Sequence, residues 1–571
     1  MEKDKDGKHS EQKWNIKKQA VQRDRGKTGR GDMAERGRAA LAAAGTLIVL
    51  LLALWHYQEV KAGALESGDS FLYLWYGMLT ICAVLTVGLA GYFYVVKRRI
   101  GIETFFLASG LSVGLMFLFV LQPLSAPDEI RHFISAYRIS NQMLHVQATD
   151  EYGQVYIRKQ DEFIVRHKPQ AEQKTQTAEA GEQEETEVLG QLLTEHTYRS
   201  IWEKGLQGTG EDEMIPSGQI AVQTTPAAYI VPAIGISIAR MLHMGGMALL
   251  YIGRFFNLAF FLGAVWMALR RLPFGKPVMC AIALLPMTLH LAASFSYDTM
   301  INALIFWFTA ICLDLAYSSR EVKARDIVLL AVLIGIVGPC KMVYAPVMGL
   351  CLLIPVKKFG GWKKWGLSAA VVLIVWLAAM ILVNTQTISI YATGTENHIG
   401  WADETGYTLG GLLHRPGLVL QLFYNSLIWQ AEYYHLTMIG AYMGQVDEVL
   451  DIPYGIVMLL TGILLLLALQ RPGEETIYFR RGQRIWVWFL FAASAGLAMF
   501  SMLLGWTPVS ARVICGVQGR YYLPLLPILF MTLKNRWLIC TRNRDREMLY
   551  VLLCANVYGI LRLFSIVSMR I

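Results

Sequence analysis

Charge is scarce in this chain. Asp, Glu, Lys and Arg make up 17% of its 571 residues, against 54% hydrophobic residues. A soluble chain of this length would split into several domains with charged surfaces, and this composition excludes that class. Paired cysteines are lacking too. The eight cysteines (Cys82, Cys280, Cys312, Cys340, Cys351, Cys515, Cys540 and Cys554) include no CxxC pair, and nearly all fall in apolar runs. They read as small core residues, with no disulfide framework or zinc site, and they leave the compartment open. No GxGxxG fingerprint, P-loop or HExxH motif occurs, so nothing in the chain points to nucleotide chemistry or a zinc peptidase. No clear internal repeat is visible, which weighs against an inverted-repeat transporter.

Long apolar runs are abundant instead, and mean hydropathy is +0.39. Runs of about 20 residues recur, the length that crosses a bilayer core as a helix. The expected fold is an all-α polytopic integral membrane protein with about thirteen transmembrane helices. Net charge is +9, but the excess is local: residues 1–38 hold twelve Lys/Arg and seven Asp/Glu. This reads as a disordered cytoplasmic arm near anionic lipid, with no nucleic-acid partner and no cleavable signal.

Basic flanks set the topology. Segment 39–57 runs outward, 71–96 returns to Lys97, Arg98 and Arg99, and 102–122 goes out again. Residues 39–99 thus form an amino-terminal hairpin, and 100–535 form the membrane core. Two long outer loops are expected, 124–225 and 384–451. The first contains a polar, acidic stretch at 172–187 that reads as disordered. A short apolar stretch at 224–246, interrupted by Pro232, reads as an interfacial helix, as does "GLVLQLFYNSLIW" in the second loop. Spans follow at 247–269, 277–294 and 299–317. The run 326–358 has basic flanks at both ends and Gly338-Pro339 in its middle, so two short helices form a hairpin with Lys341 at its tip. Further spans fall at 365–383, 453–469, 485–505 and 521–533. Residues 536–571 hold a cytoplasmic loop and the last span.

The stretch "LQPLSAPDEIRHFISAYRIS" (121–140) places two carboxylates, Asp128 and Glu129, where the chain leaves the membrane. At 3.6 residues per turn Ile130, Phe133, Ile134 and Tyr137 share one helical face, with Asp128, His132 and Ser135 opposite. That is an amphipathic helix suited to the membrane surface, with Asp128 and His132 turned from lipid. Two readings stay open. Ser125 could be the N-cap with Pro127 in the first turn, the acids merely complementing the helix dipole. Alternatively the acids belong to a site. Charges at membrane depth usually face a cavity or a partner. Arg254, Lys341, Asp298 and Arg520 all lie in the outer half on this topology. Arg and Lys suit a phosphate, and a nearby carboxylate suits a general base. Each also has a plain alternative: a snorkelling Arg520, a neutralising Lys341, a structural Arg254, a capping Asp298, a surface His132.

Four blocks carry a family resemblance: "APDEIRHFISAY" (126–137), "TTPAAYIVPAIG" with "GRFFN" (224–257), "SFSYD" with "GPCKMVY" (294–344), and "QGRYYLP" (518–524). In this order they resemble bacterial polytopic proteins grouped as domain of unknown function 2142. The layout of that family is similar to GT-C glycosyltransferases, which take a sugar from a polyprenyl-phosphate carrier outside the membrane. The resemblance implies Asp128 as base and Glu129 as support. Asp298 would be the second acid, and Arg254, Lys341 and Arg520 would face the carrier phosphate. His132 and Tyr521 join the substrate-binding set. No cofactor is certain; if a divalent metal is used, Asp128, Glu129 and Asp298 would hold it. The implied function is transfer of a sugar to an envelope glycan acceptor, with membrane lipid as solvent. The alternatives are a transporter or flippase for lipid-linked glycans, and a non-catalytic scaffold of envelope assembly.

Overall fold

The computed structural model describes residues 3–166, 188–204, 206–222, 225–394, 397–472 and 479–570. Side chains are described from Met33 onward, except those of 386–387 and 390–393. The acidic stretch expected to be disordered at 172–187 lies outside the described residues, as do nearly all side chains of the basic arm.

The chain opens with α1 (Lys3–Ser67), α2 (Phe71–Ala90) and α3 (Ile102–Val120). A loop then leads into α4 (Glu129–Met143). β1 (Gln154–Arg158), α5 (Glu162–Val165), α6 (Glu195–Lys204), β2 (Met214–Ile220) and α7 (Ile230–Met241) complete the first long loop, β1 pairing antiparallel with β2. Next come α8 (Gly246–Arg271), α9 (Lys276–Ala283), α10 (Pro286–Ala292), α11 (Asp298–Tyr317) and α12 (Ala324–Cys340), then a 3-10 helix, Met342–Leu353, and α13 (Trp362–Thr393). The second long loop carries β3 (His398–Ile399), β4 (Glu404–Thr405), α14 (Leu409–Leu413), α15 (Pro416–Trp429), α16 (Ala431–Ile439), β5 (Tyr442–Met443) and β6 (Asp447–Asp451). The chain closes with α17 (Tyr454–Ala468), α18 (Arg481–Gly505), a 3-10 helix Gly519–Leu525, α19 (Leu526–Met531) and α20 (Asp545–Ser568).

Among the described residues eight helices are long and apolar enough to cross a membrane. An all-α polytopic membrane protein is therefore the fold. The other expected crossings fall on shorter or broken elements, and proline explains two of the breaks. Pro286 has no N–H to continue the α9 ladder, so segment 277–294 is two short helices. Pro339 ends α12 one residue before Lys341. The expected hairpin follows, because Val322 N donates to Lys358 O at 3.0 Å and the two ends of the run meet.

Helices α8 and α11 pack along each other at the centre. Of the most apolar window of α11, 83% is buried, against 17% for α13, so α11 is the central post and α13 faces lipid. In lipid the apolar face of a helix need not be hidden, so burial here marks the packed interior rather than hydrophobicity.

One local expectation is corrected. Helix α4 does not lie on the surface. It is buried on most of its circumference, with His132 through Tyr137 all inside, because the β1–β2 hairpin and α7 cover it.

Candidate functional site

The loop between α3 and α4 decides the fate of the two adjacent acids. Helix α4 begins at Glu129, so Pro127 lies before the helix and not in its first turn. Asp128 stands at the N-cap in the left-handed region, φ 59°, and its side chain makes no capping bond. Asp tolerates that region better than most residues. The hydroxyl of Ser125 is buried without a hydrogen-bond partner. The cap reading is thereby corrected: neither Ser125 nor Asp128 caps the helix.

Glu129 turns inward and is fully buried. It accepts Ala126 N at 2.9 Å and Phe295 N at 2.9 Å, and it pairs with Arg254 Nε at 3.3 Å. Burial raises its carboxyl above the usual carboxylate range, against the opposing pull of Arg254. Arg254 is equally buried, and its other N–H groups go to Leu118 O at 3.1 Å and Leu121 O at 2.7 Å. The pair therefore ties α3, α4, α8 and the turn before α11 together. Both side chains are fully buried, which sets Arg254 and Glu129 behind the exposed Asp128.

Asp128 turns the other way, with 64% of its side chain exposed and Arg520 Nη2 3.6 Å from its carboxylate. From Arg520 the contacts run on. Its Nη1 donates to Asp298 Oδ2 at 3.1 Å and its Nε to Gln518 Oε1 at 2.6 Å. Lys341 Nζ lies 3.6 Å from Asp298 Oδ1, an oxygen with no hydrogen bond. Thus Asp128, Asp298, Lys341 and Arg520 form one continuous cluster, drawn from the starts of α4, α11 and Gly519–Leu525 and from the hairpin tip.

Aromatic rings wall the cluster. Lys341 Nζ is 3.8 Å from the ring centre of Tyr521 and 5.4 Å from that of Tyr297, cation–π distances. Tyr344 Oη donates to Tyr521 O at 2.8 Å, fixing that backbone. His132 is buried, not a surface residue. It bonds Tyr229 Oη at 2.8 Å and packs 4.7 Å from the Tyr297 ring. Burial pulls its imidazole down to about 4, so it is neutral at pH 7.

Six of the eight residues named from sequence thus meet: Asp128, His132, Asp298, Lys341, Arg520 and Tyr521. Tyr297, Tyr344 and Gln518 were missed, although all three stand inside the quoted blocks "SFSYD", "GPCKMVY" and "QGRYYLP". Gln445, whose Nε2 donates to Ala126 O at 2.9 Å, carries no sequence signal. The three acids offered as metal ligands do not form one donor set. Glu129 is spent on Arg254 and two backbone N–H groups, and Asp298 on Arg520 and Lys341. Among the described residues no three His, Cys, Asp or Glu side chains converge as a metal site.

Fold and cluster together define a multi-pass helical membrane protein with a charged, tyrosine-walled cluster at one end of its helical bundle. The chain belongs to the family described as predicted membrane protein (DUF2142), whose model matches residues 111–529. That span contains the whole cluster and leaves α1, α2 and α20 outside it. No curated protein and no solved structure matches the chain.

Proposed function

We propose that the protein is a membrane-embedded glycosyltransferase, moving a sugar from a polyprenyl-phosphate carrier to an envelope acceptor on the outer face. One observation carries this reading. Two cations from separate elements, Arg520 and Lys341, converge on a single carboxylate, Asp298, through one hydrogen bond of 3.1 Å and one longer contact of 3.6 Å. A second carboxylate, Asp128, stands exposed at their edge. Asp128 takes the proton of the acceptor hydroxyl, whose oxygen attacks the anomeric carbon. The bond from that carbon to the carrier phosphate breaks, and Arg520 and Lys341 stabilise the departing phosphate. Tyr297 and Tyr521 offer faces for the sugar ring, and Glu129 with Arg254 holds the loop that aims Asp128. The domain plan follows: α1 and α2 are an added hairpin on a catalytic core.

The test is surface-glycan composition in a deletion strain complemented with wild type or Asp128→Asn, at matched membrane levels. Wild type restores the missing sugar and Asp128→Asn lowers transfer by roughly 100-fold or more, the scale of losing a general base. Undiminished transfer by the variant removes Asp128 from the chemistry.

A further inference from the structure

A cleft of about 500 Å³ opens beside Asp128, with Arg131, Gln191 and Gln445 among its lining residues and apolar Val188 and Leu192 along one side. Its walls are fixed. Gln445 sits between β5 and β6, and its Nε2 donates to Ala126 O at 2.9 Å and Leu124 O at 3.3 Å. The β5–β6 hairpin is tied to the end of α20 by Arg562–Asp451 at 2.6 Å and Arg570–Asp447 at 2.5 Å. On the opposite wall Gly190 adopts φ 77° and lies so close to Pro123 O that a Cβ would come within 2.2 Å. That close approach holds Gln191 beside the acid loop.

The charge of this region is unbalanced. Arg131 is exposed, and its guanidinium has no ion-pair or hydrogen-bond partner among the described residues. Arg131 is the cation among the cleft's lining residues, and the acid that lines it, Asp128, already lies 3.6 Å from Arg520, so Arg131 has no carboxylate of its own. A ligand that completes the site brings negative charge. The two glutamines and the apolar side are the surface a hydroxylated ring needs: amides for its hydroxyls, an apolar wall for its C–H face.

We propose that this cleft is an acceptor subsite for a glycan bearing a carboxylate or phosphate group. This rests on the transfer reading above. Arg131 receives the anion. Gln191 and the Oε1 of Gln445 bond ring hydroxyls. Asp128, shared by cleft and cluster, meets the acceptor hydroxyl at their border.

The test is binding to the full chain in lipid nanodiscs, read by saturation-transfer NMR titration. The probes are digalacturonate and mannose 6-phosphate, with neutral digalactose as control and a short-chain polyprenyl phosphate as competitor. At least one anionic probe binds wild type. Arg131→Gln weakens it by about tenfold or more, the scale of a lost charge-assisted bond. Gln191→Trp, which fills the cleft, weakens it as well, and the competitor leaves it in place. Equal binding by wild type and both variants, no binding of either anionic probe, or displacement by polyprenyl phosphate overturns the proposal. The assay needs no turnover, so it separates from the transfer reading. If Asp128→Asn keeps transfer while Arg131→Gln loses the probe, the cleft stands as an anionic-glycan site and the chemistry assigned to Asp128 falls.

Discussion

Two clusters of two acids and two bases stand at opposite ends of the helical bundle, and they are built to different standards. At one end Arg271 and Arg320 grip Asp314 and Asp326. Arg320 donates to both carboxylates in four contacts of 2.8 to 3.2 Å, and Arg271 adds two at 3.1 and 3.0 Å. Asp326 also accepts Lys323 N at 3.0 Å. At the other end Asp298 and Asp128 meet Arg520 and Lys341 through one bond of 3.1 Å and two contacts of 3.6 Å. Both sets are formally neutral. The first is densely bonded and acts as a clamp between α8, α11 and α12, and its one oxygen without a hydrogen bond, Asp314 Oδ1, is not buried. The second leaves a buried carboxylate oxygen, Asp298 Oδ1, without a hydrogen bond and an acid, Asp128, exposed, an arrangement that suits the site proposed above. Composition alone cannot tell the two apart; hydrogen-bond geometry does.

The largest effect should come from breaking what sits behind the open cluster. Glu129→Ala leaves Arg254 buried with no counter-charge, a cost of about 3–5 kcal/mol. Thermal unfolding of the detergent-solubilised protein checks it. A variant that melts like wild type would mean that Arg254 is not held by this pair. The clamp comes next. Asp326→Ala removes the acceptor for Arg271, Arg320 and Lys323 N, with an expected loss of roughly 2–3 kcal/mol in the same assay, since part of Arg320 is solvent-exposed. Asp298→Asn at the open end leaves the buried Arg520 and the partly buried Lys341 short of a counter-charge and should destabilise by a comparable amount, but it should abolish transfer where Asp326→Ala, at matched membrane levels, keeps it. If the two variants affect transfer alike, the contrast between clamp and site is wrong.

The spans and their breaks were legible because hydropathy and proline act locally: Pro339 stops a helix wherever the helix goes. Most of the cluster was legible too. A charge in an apolar chain is conspicuous, and four such charges at one depth imply a meeting. What the sequence could not separate was Asp128 from Glu129. They are neighbours in the chain, and a single left-handed residue sends one outward and the other into the core. That turn depends on Gln445, more than 300 residues away. The burial of α4 was misread for a related reason. Its amphipathic pattern suits a lipid surface as well as a protein one, and only the β1–β2 hairpin and α7, packed over it, decide between them.

A last prediction is one of pH, and it sharpens the contrast from the open end. His132 lies beside that cluster, and burial holds its imidazole at about 4, below the usual value near 6.5. The folded protein therefore binds this proton more weakly than the unfolded chain does. The stability this contributes is complete above about pH 6.5 and is lost as the pH falls toward 4. Carboxylates titrate in the same window, so the measurement is a difference: wild type against His132→Gln, melting temperature from pH 7.5 to 4.5. Wild type should lose more than the variant across that range. Among the described residues no histidine bonds to the clamp, so Asp326→Ala should lower stability by a similar amount at both ends of the window. A wild-type profile that parallels His132→Gln would show that the imidazole is already hydrated in the folded state. The open cluster would then be wetter than its buried histidine implies, and the tyrosine wall would not seal it.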